Sequence, residues 1–167
     1  MLFRSPYEPL GVEQVGGFDT HSDEAETLAT KFEQIDGALS QFVAETNGTG
    51  VWDDLAIVSI SDFGRTLTSN GRGSDHGWGG HHFVAGGSVR GKQILGSYPT
   101  DMTAHGHLNV GRGRIIPTTP WEGVWHGLAE WFGGVDAQVD EAVIKRVLPN
   151  LDNFQPEQMI RGVQMFE

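Results

Sequence analysis

The amino-acid sequence predicts an α/β fold, a sheet flanked by helices, and three observations carry that prediction. A long segment at 23–47 spaces its apolar residues as a helix does, a short apolar run at 55–60 is rich in β-branched residues, and a second helical segment opens near residue 119. At 167 residues the chain suits a single domain, 1–167, long enough to bury a core. No internal repeat, low-complexity tract or interdomain linker divides it.

The elements follow in order. Across residues 23–47, Leu28, Phe32, Ile35, Leu39, Phe42 and Val43 recur at spacings of three and four and so share one helical face. Asp23 with Glu26 has the spacing of a capping box, and Gly48 is placed to stop the helix. Leu55-Ala56-Ile57-Val58-Ser59-Ile60 reads as a strand buried on both faces, ending at Ser61-Asp62-Phe63-Gly64-Arg65. Residues 82–85 read as a second strand broken by Gly86-Gly87, residues 93–95 as another after the Arg90-Gly91 turn, and residues 114–116 as a short edge strand. Thr119-Pro120-Trp121-Glu122 opens a helix with a cap, a proline at the first position and an acid at the third, closed by Gly133-Gly134. Its Trp121, Val124, Trp125, Leu128, Trp131 and Phe132 are read as core. A last helix is expected over 136–148, stopped by Pro149, and residues 150–167 carry no clear pattern.

Composition narrows the function classes. With 38% hydrophobic residues, five tryptophans and nine phenylalanines, the chain has material for a core and none of the marks of disorder. It has no cysteine, so disulfides and thiolate metal sites are excluded and any metal must rest on His, Asp, Glu or backbone oxygen. No apolar run approaches a membrane span, and Met1-Leu2-Phe3-Arg4-Ser5-Pro6 lacks the regions of a signal peptide, so a soluble domain without an address is expected. The net charge of −11 argues against nucleic acid or an anionic membrane as partner. That average hides a contrast: Arg65, Arg72, Arg90, Lys92, Arg112 and Arg114 face only Asp62, Asp75 and Asp101 over 62–114, a stretch of +3 in a chain whose remainder carries −14. These arginines are either solvated loop residues or a cationic rim that attracts phosphate or sulfate.

Two loops collect residues suited to metal. The glycine-rich segment from Ser69 to His82 holds His76, His81, His82 and Asp75, three of the seven histidines with a carboxylate, and its glycines allow turns sharp enough to aim several ligands at one point. Its bland alternative is a surface loop capping a strand. Gly16-Gly17-Phe18-Asp19-Thr20-His21-Ser22-Asp23 places Asp19 and His21 two apart, on one side of an extended segment, or else is a helix-entry loop. Asp62 lies just past the first strand, where α/β folds gather ligands.

Gly-Gly-Phe-Asp-Thr-His-Ser at 16–22, Ser-Asp-Phe-Gly-Arg-Thr-Leu at 61–67, Asn-Gly-Arg-Gly-Ser-Asp-His-Gly-Trp-Gly at 70–79, the following His-His-Phe-Val-Ala-Gly-Gly, and Gly-Arg-Ile-Ile-Pro-Thr-Thr at 113–119 together resemble the DUF1501 family. This is a group of largely uncharacterised bacterial proteins placed in the alkaline phosphatase-like superfamily, with its phosphatases, sulfatases and phosphoglycerate mutases. The likeness runs from about residue 15 to 154. It implies part of a three-layer α/β/α sandwich, the carboxyl-terminal portion, with residues 1–15 and 155–167 peripheral. It also implies a metal-dependent hydrolase of small phosphate or sulfate esters.

In the superfamily, a strand ends in an Asp-His-Gly signature whose Asp and His bind metal; Asp62 stands at that Asp, and Phe63 where the His would be. His76, His81 or His82 could supply the histidine ahead of the next strand, and Asp19 and His21 resemble the earlier pair. The implied constellation is Asp19, His21, Asp62, Asp75 and His76, with His81 or His82 in reserve, holding one or two divalent cations: zinc, manganese, calcium or magnesium. Arg65 or Arg72 would balance charge in the transition state. The superfamily's nucleophile and a further acid come from strands that the matched part does not include, so an incomplete enzyme is expected. The alternative is a non-catalytic, metal-binding remnant. A homo-oligomer covering an open sheet edge is expected in either case. Full-length relatives are often exported, and the compartment of this chain stays unassigned.

Overall fold

A computed structural model describes residues 14–133 and 140–167, together with the backbone of residues 2–4 and 8–11. The first helical pattern becomes α1, Glu24–Thr49. Its expected capping box does not form, because Asp23 sits in the left-handed region (φ 53°, ψ 34°) and its side chain makes no cap bond, whereas a capping acceptor needs extended backbone. Glu24 instead ties the helix start to the loops: its Oε1 accepts from Ser74 Oγ at 2.7 Å and Thr20 Oγ1 at 3.3 Å. The helix also runs past Gly48 and stops at Gly50, whose φ of 71° supplies the left-handed residue that a helix end requires. The apolar stripe is only half covered. Leu28, Ile35, Leu39, Phe42 and Val43 are half-buried and Phe32 is exposed, so α1 lies on the surface.

The strand pattern becomes β3, Leu55–Val58, with all four residues buried. It is two residues shorter than expected: at Ser59 the N–H still donates to the Phe83 carbonyl at 3.0 Å, but Phe83 N donates back to the Ser59 hydroxyl and not to its carbonyl, and Ile60 is exposed. Two short strands precede it, β1 (Leu2–Arg4) and β2 (Glu8–Gly11). Two two-residue strands, β4 (Gly64–Arg65) and β5 (His76–Gly77), pair with each other, and β6 (Val84–Ala85) returns to β3. The main sheet has the order β2-β1-β3-β6, antiparallel throughout, with Ile57 opposite Ala85 and Val58 opposite Val84. A fully buried apolar run is usual in parallel sheets. Here β3 is buried between antiparallel neighbours.

Residues 93–95 do not form the expected strand. Gln93 Nε2 donates to the carbonyls of Arg90 and Gln164 at 2.8 and 2.7 Å, so this stretch is fastened by a side chain and not by a ladder. The expected edge strand at 114–116 reduces to one bridge between Ile115 and Asn109.

Helix α2, Trp121–Phe132, matches the second helical pattern, but Pro120 and not Thr119 takes the cap position, so the helix starts one residue later than expected. Leu128 and Trp131 are buried, and Val124, Trp125 and Phe132 pack against them, which bears out their reading as core. Ala56 and Val58, on one face of β3, join the same cluster. The final turn, α4 (Gly162–Met165), packs on α2 and closes the cluster, after the short helix α3 (Glu141–Val147), which Asp140 caps by accepting from Ala142 N at 2.9 Å. Residues 134–139, which hold Gly134 and the start of the expected last helix, lie outside the described residues. Gly127 is what lets the tail approach: a Cβ there would stand 2.5 Å from Met165 Sδ and 2.9 Å from the Ile160 carbonyl.

The tail, which shows no pattern in sequence, thus supplies Ile160, Met165 and Phe166 to the core. Phe166 is fully buried and stacked on Trp131 with ring centres 4.5 Å apart. Replacing Phe166 by alanine should cost about 3–5 kcal/mol in urea unfolding, whereas Phe32→Ala, at an exposed position of the α1 stripe, should cost less than about 1 kcal/mol. Equal effects would contradict this placement of the core.

Candidate metal centre

The polar loop after β3 folds back on itself as the β4–β5 hairpin, in which Arg65 is paired with His76. Residues directly opposite in an antiparallel pair project to the same face, so the guanidinium and the imidazole emerge side by side. Close approach is built into this hairpin: a Cβ at Gly77 would stand 2.6 Å from the Arg65 carbonyl oxygen. Buried Thr66 locks it, its N–H donating to the Asp75 carbonyl at 2.9 Å while its Oγ1 accepts from Asp75 N at 3.0 Å.

Ahead of α1, the segment carrying Asp19 and His21 lies against this hairpin. Ser74 N donates to the Thr20 carbonyl at 3.3 Å, and Gly73 allows the contact, since a Cβ on it would sit 2.5 Å from that carbonyl oxygen and 2.9 Å from His21 C. Three nitrogens then meet one oxygen. Arg65 Nη1 donates to Asp19 Oδ1 at 2.6 Å, His76 Nε2 hydrogen bonds to it at 2.8 Å, and His21 Nε2 lies 2.9 Å away. The Arg65 guanidinium is steadied by Ser74, whose Oγ accepts from Nε at 3.0 Å and whose carbonyl accepts from Nη2. Phe63, at the position where the resemblance implies a histidine, packs its ring flat on His76 with centres 4.2 Å apart and planes 16° apart.

Asp75 stands on the far side of His21. Its Oδ1 hydrogen bonds with His21 Nδ1 at 3.3 Å and accepts from Asn70 Nδ2 at 3.0 Å, and its Oδ2 accepts from Arg112 Nη2 at 2.5 Å. Both carboxyls are held below the usual carboxylate range: Asp19 first by the Arg65 hydrogen bond and then by His76, Asp75 first by Asn70, with His21 and Arg112 adding to it. Asp19, His21 and His76 are exposed, and their ligand atoms lie within 4.8 Å of one another. Two imidazole nitrogens and a carboxylate oxygen, open to solvent, fit a cation such as zinc with further positions free for exogenous ligands.

Among the residues singled out in sequence, Asp19, His21, His76, Asp75 and Arg65 converge. Asp62 is exposed and does not join them. His81 is exposed and its ring faces Tyr98 at 5.2 Å; the His82 ring packs on Trp121 at 4.3 Å, where burial lowers its pKa. Arg72 is exposed and serves the loop through its backbone N–H, which donates to Asn70 Oδ1 at 3.0 Å. Sequence reasoning missed Asn70, Ser74, Glu24 and Arg112 as parts of the site. The signal for Arg112 was its place between Gly111 and Gly113, which marks a backbone bent for a purpose.

The family described as Protein of unknown function (DUF1501) matches residues 11–110, well over half of the chain. The chain belongs to the DUF1501 family. Asp19, His21, Arg65, Asp75 and His76 of this DUF1501 chain all fall within the matched span, and Arg112 lies just beyond it. No curated protein and no solved structure matches the chain.

Gly73→Ala touches no charged residue of the centre, yet should push the Asp19 segment off the hairpin. Its histidine ring resonances in NMR should move as far as those of Asp19→Asn; an unmoved spectrum would show that the contact at Gly73 does not hold the centre together. A second expectation concerns acid. A carboxylate whose folded pKa lies below its unfolded value stabilises the fold fully above the unfolded value and loses that contribution as pH falls through the folded one. In metal-free protein, stability should therefore fall as pH drops below the ordinary value of 3.8, with Asp19→Asn flattening that fall in urea titrations. Parallel curves for the two proteins would contradict the ion pairs on Asp19.

Proposed function

We propose that this DUF1501 chain carries a divalent-cation centre on Asp19, His21 Nε2 and His76 Nε2, and that the centre serves hydrolysis of a small phosphate or sulfate ester. The observation that carries the reading is the convergence of those three ligand atoms within 4.8 Å. Imidazole nitrogens favour zinc over magnesium and calcium, which prefer all-oxygen sites, and the mixed nitrogen and oxygen set also admits manganese. When bound, such a cation supplies Lewis-acid polarisation of the ester.

The chain's own residues supply the rest. Arg65 is held through Nε and Nη2 by Ser74, which leaves Nη1 directed at the centre, beside the place where an anionic oxygen would sit. A planar guanidinium there binds phosphate or sulfate oxygens and offsets charge that builds on them. Phe63 backs the His76 ring and limits its rotation. The net charge of −11 is compatible with a small anion reaching a local cationic rim and opposes nucleic acid as substrate. The alkaline phosphatase-like three-layer sandwich belongs to the same reading, supported by the motifs around Asp19, Asp62 and His76 and by the mixed α/β elements.

A second reading is a non-catalytic metal-binding module that associates with copies of itself. The half-covered apolar stripe of α1, with Phe32 exposed, favours it. Metal analysis of the purified protein next to a panel of phosphate and sulfate esters separates the two. The enzyme reading expects about one equivalent of zinc or manganese per chain and metal-dependent turnover, both lost in His76→Ala. Stoichiometric metal in an inert oligomer would leave only the second reading, and a chain that takes up no cation would remove both.

A further inference from the structure

We propose that Arg112 is a positioning residue of the cation centre, acting through Asp75 to hold His21 with Nε2 turned to Asp19; this rests on the reading of that centre given above. The His21 ring spans two carboxylates, with Nε2 2.9 Å from Asp19 Oδ1 and Nδ1 3.3 Å from Asp75 Oδ1. An imidazole that ligates through one nitrogen carries its proton on the other and needs an acceptor there, and a carboxylate in that place fixes the tautomer and the ring plane. Asp75 is arranged for this task. Each of its oxygens is fastened, Oδ1 by Asn70 Nδ2 at 3.0 Å and Oδ2 by Arg112 Nη2 at 2.5 Å, and the same Asn70 nitrogen also donates to the His21 carbonyl at 3.2 Å. Sequence reasoning offered Asp75 as a ligand, but the geometry turns it towards the nitrogen that a ligating His21 would not use.

Arg112 reaches Asp75 from a backbone that few residues adopt. Gly111, Arg112 and Gly113 all have left-handed backbone, at φ 101°, 57° and 74°. Arginine in that region is disfavoured by its Cβ and persists where the surroundings over-determine it. They do so here. Asn109 Oδ1 accepts from the N–H groups of Gly111 and Gly113 at 2.9 and 3.1 Å, and the Gly113 carbonyl accepts from Leu67 N at 3.0 Å, which fastens the loop just beyond β4. At Gly113 a Cβ would stand 2.7 Å from Leu67 N, so the close approach requires glycine. The loop therefore presents Arg112 to Asp75 from a fixed direction. Neutralised on its far oxygen, Asp75 orients His21 without becoming a competing ligand itself.

Cobalt(II) is the probe. The whole chain and its Asp75→Ala and Arg112→Gln variants are titrated with Co²⁺ against a chelator, and the loaded proteins are observed by proton NMR for the shifted, exchangeable ring N–H of each ligating histidine. Positioning predicts an affinity loss of about 10–100-fold in Asp75→Ala and a smaller loss in Arg112→Gln. In both, the His21 ring N–H signal broadens through faster exchange. Arg112 is exposed, so Arg112→Gln should shift the metal-free unfolding midpoint only slightly, which keeps the comparison clean. Wild-type affinity with the slow His21 ring signal retained in the two variants would overturn this inference and leave the centre standing. A wild-type chain that takes up no cobalt would overturn the centre, and this inference with it.

Discussion

Oδ1 of Asp19 draws a guanidinium and two imidazoles from three separate parts of the chain, and the local arrangement of the site depends on that convergence. A carboxylate oxygen attracts cations and N–H donors alike. The two imidazole nitrogens and the carboxylate oxygen among these groups are the set that could ligate a metal ion. What keeps these groups from drifting apart is a set of supporting contacts behind them: Ser74 on Arg65, Glu24 on Ser74 and Thr20, and Phe63 on His76. Backbone at Gly73 and Gly77 comes closer than any side chain would permit. Charge brings the residues together, and the close-packed glycine backbone sets how closely they sit.

The core and the site meet through β3. Its Ala56 and Val58 anchor one end of the polar loop in the cluster formed with α2 and the tail, and the loop leaves that anchor to form the β4–β5 hairpin. The arrangement separates duties in the usual way, with packing in the scaffold and chemistry on the loops it fixes. Arg112 extends the same logic. A strained backbone is tolerated because it is fastened to β4's flank, and its strain is spent on aiming one side chain.

Much of this was readable in the sequence where periodicity or motif was strong. The helices at 24–49 and 121–132 and the buried run at 55–58 follow from apolar spacing, and Asp19, His21 and His76 stand out as ligand types in glycine-rich loops. The direction of strand pairing was not readable, since a buried run looks alike in parallel and antiparallel sheets. Nor was the role of the tail, because a four-residue helix such as Gly162–Met165 is too short to show a period. The capping box at Asp23 failed for a reason of backbone, not of side chain, as that residue entered the left-handed region. Asp75 was recognised as a chemical group but not as an orienting one, because its role is set by Arg112, Asn70 and His21, which only folding brings to it.

Whether Asp19, His21 and His76 share a cation is read from a crystal structure of zinc-soaked protein, with anomalous data collected on both sides of the zinc edge. One anomalous peak is expected about 2 Å from His21 Nε2, His76 Nε2 and an Asp19 oxygen, with Arg65 Nη1 displaced from Oδ1. A map with no peak there, or with zinc held by Asp62, His81 or His82 instead, would contradict it.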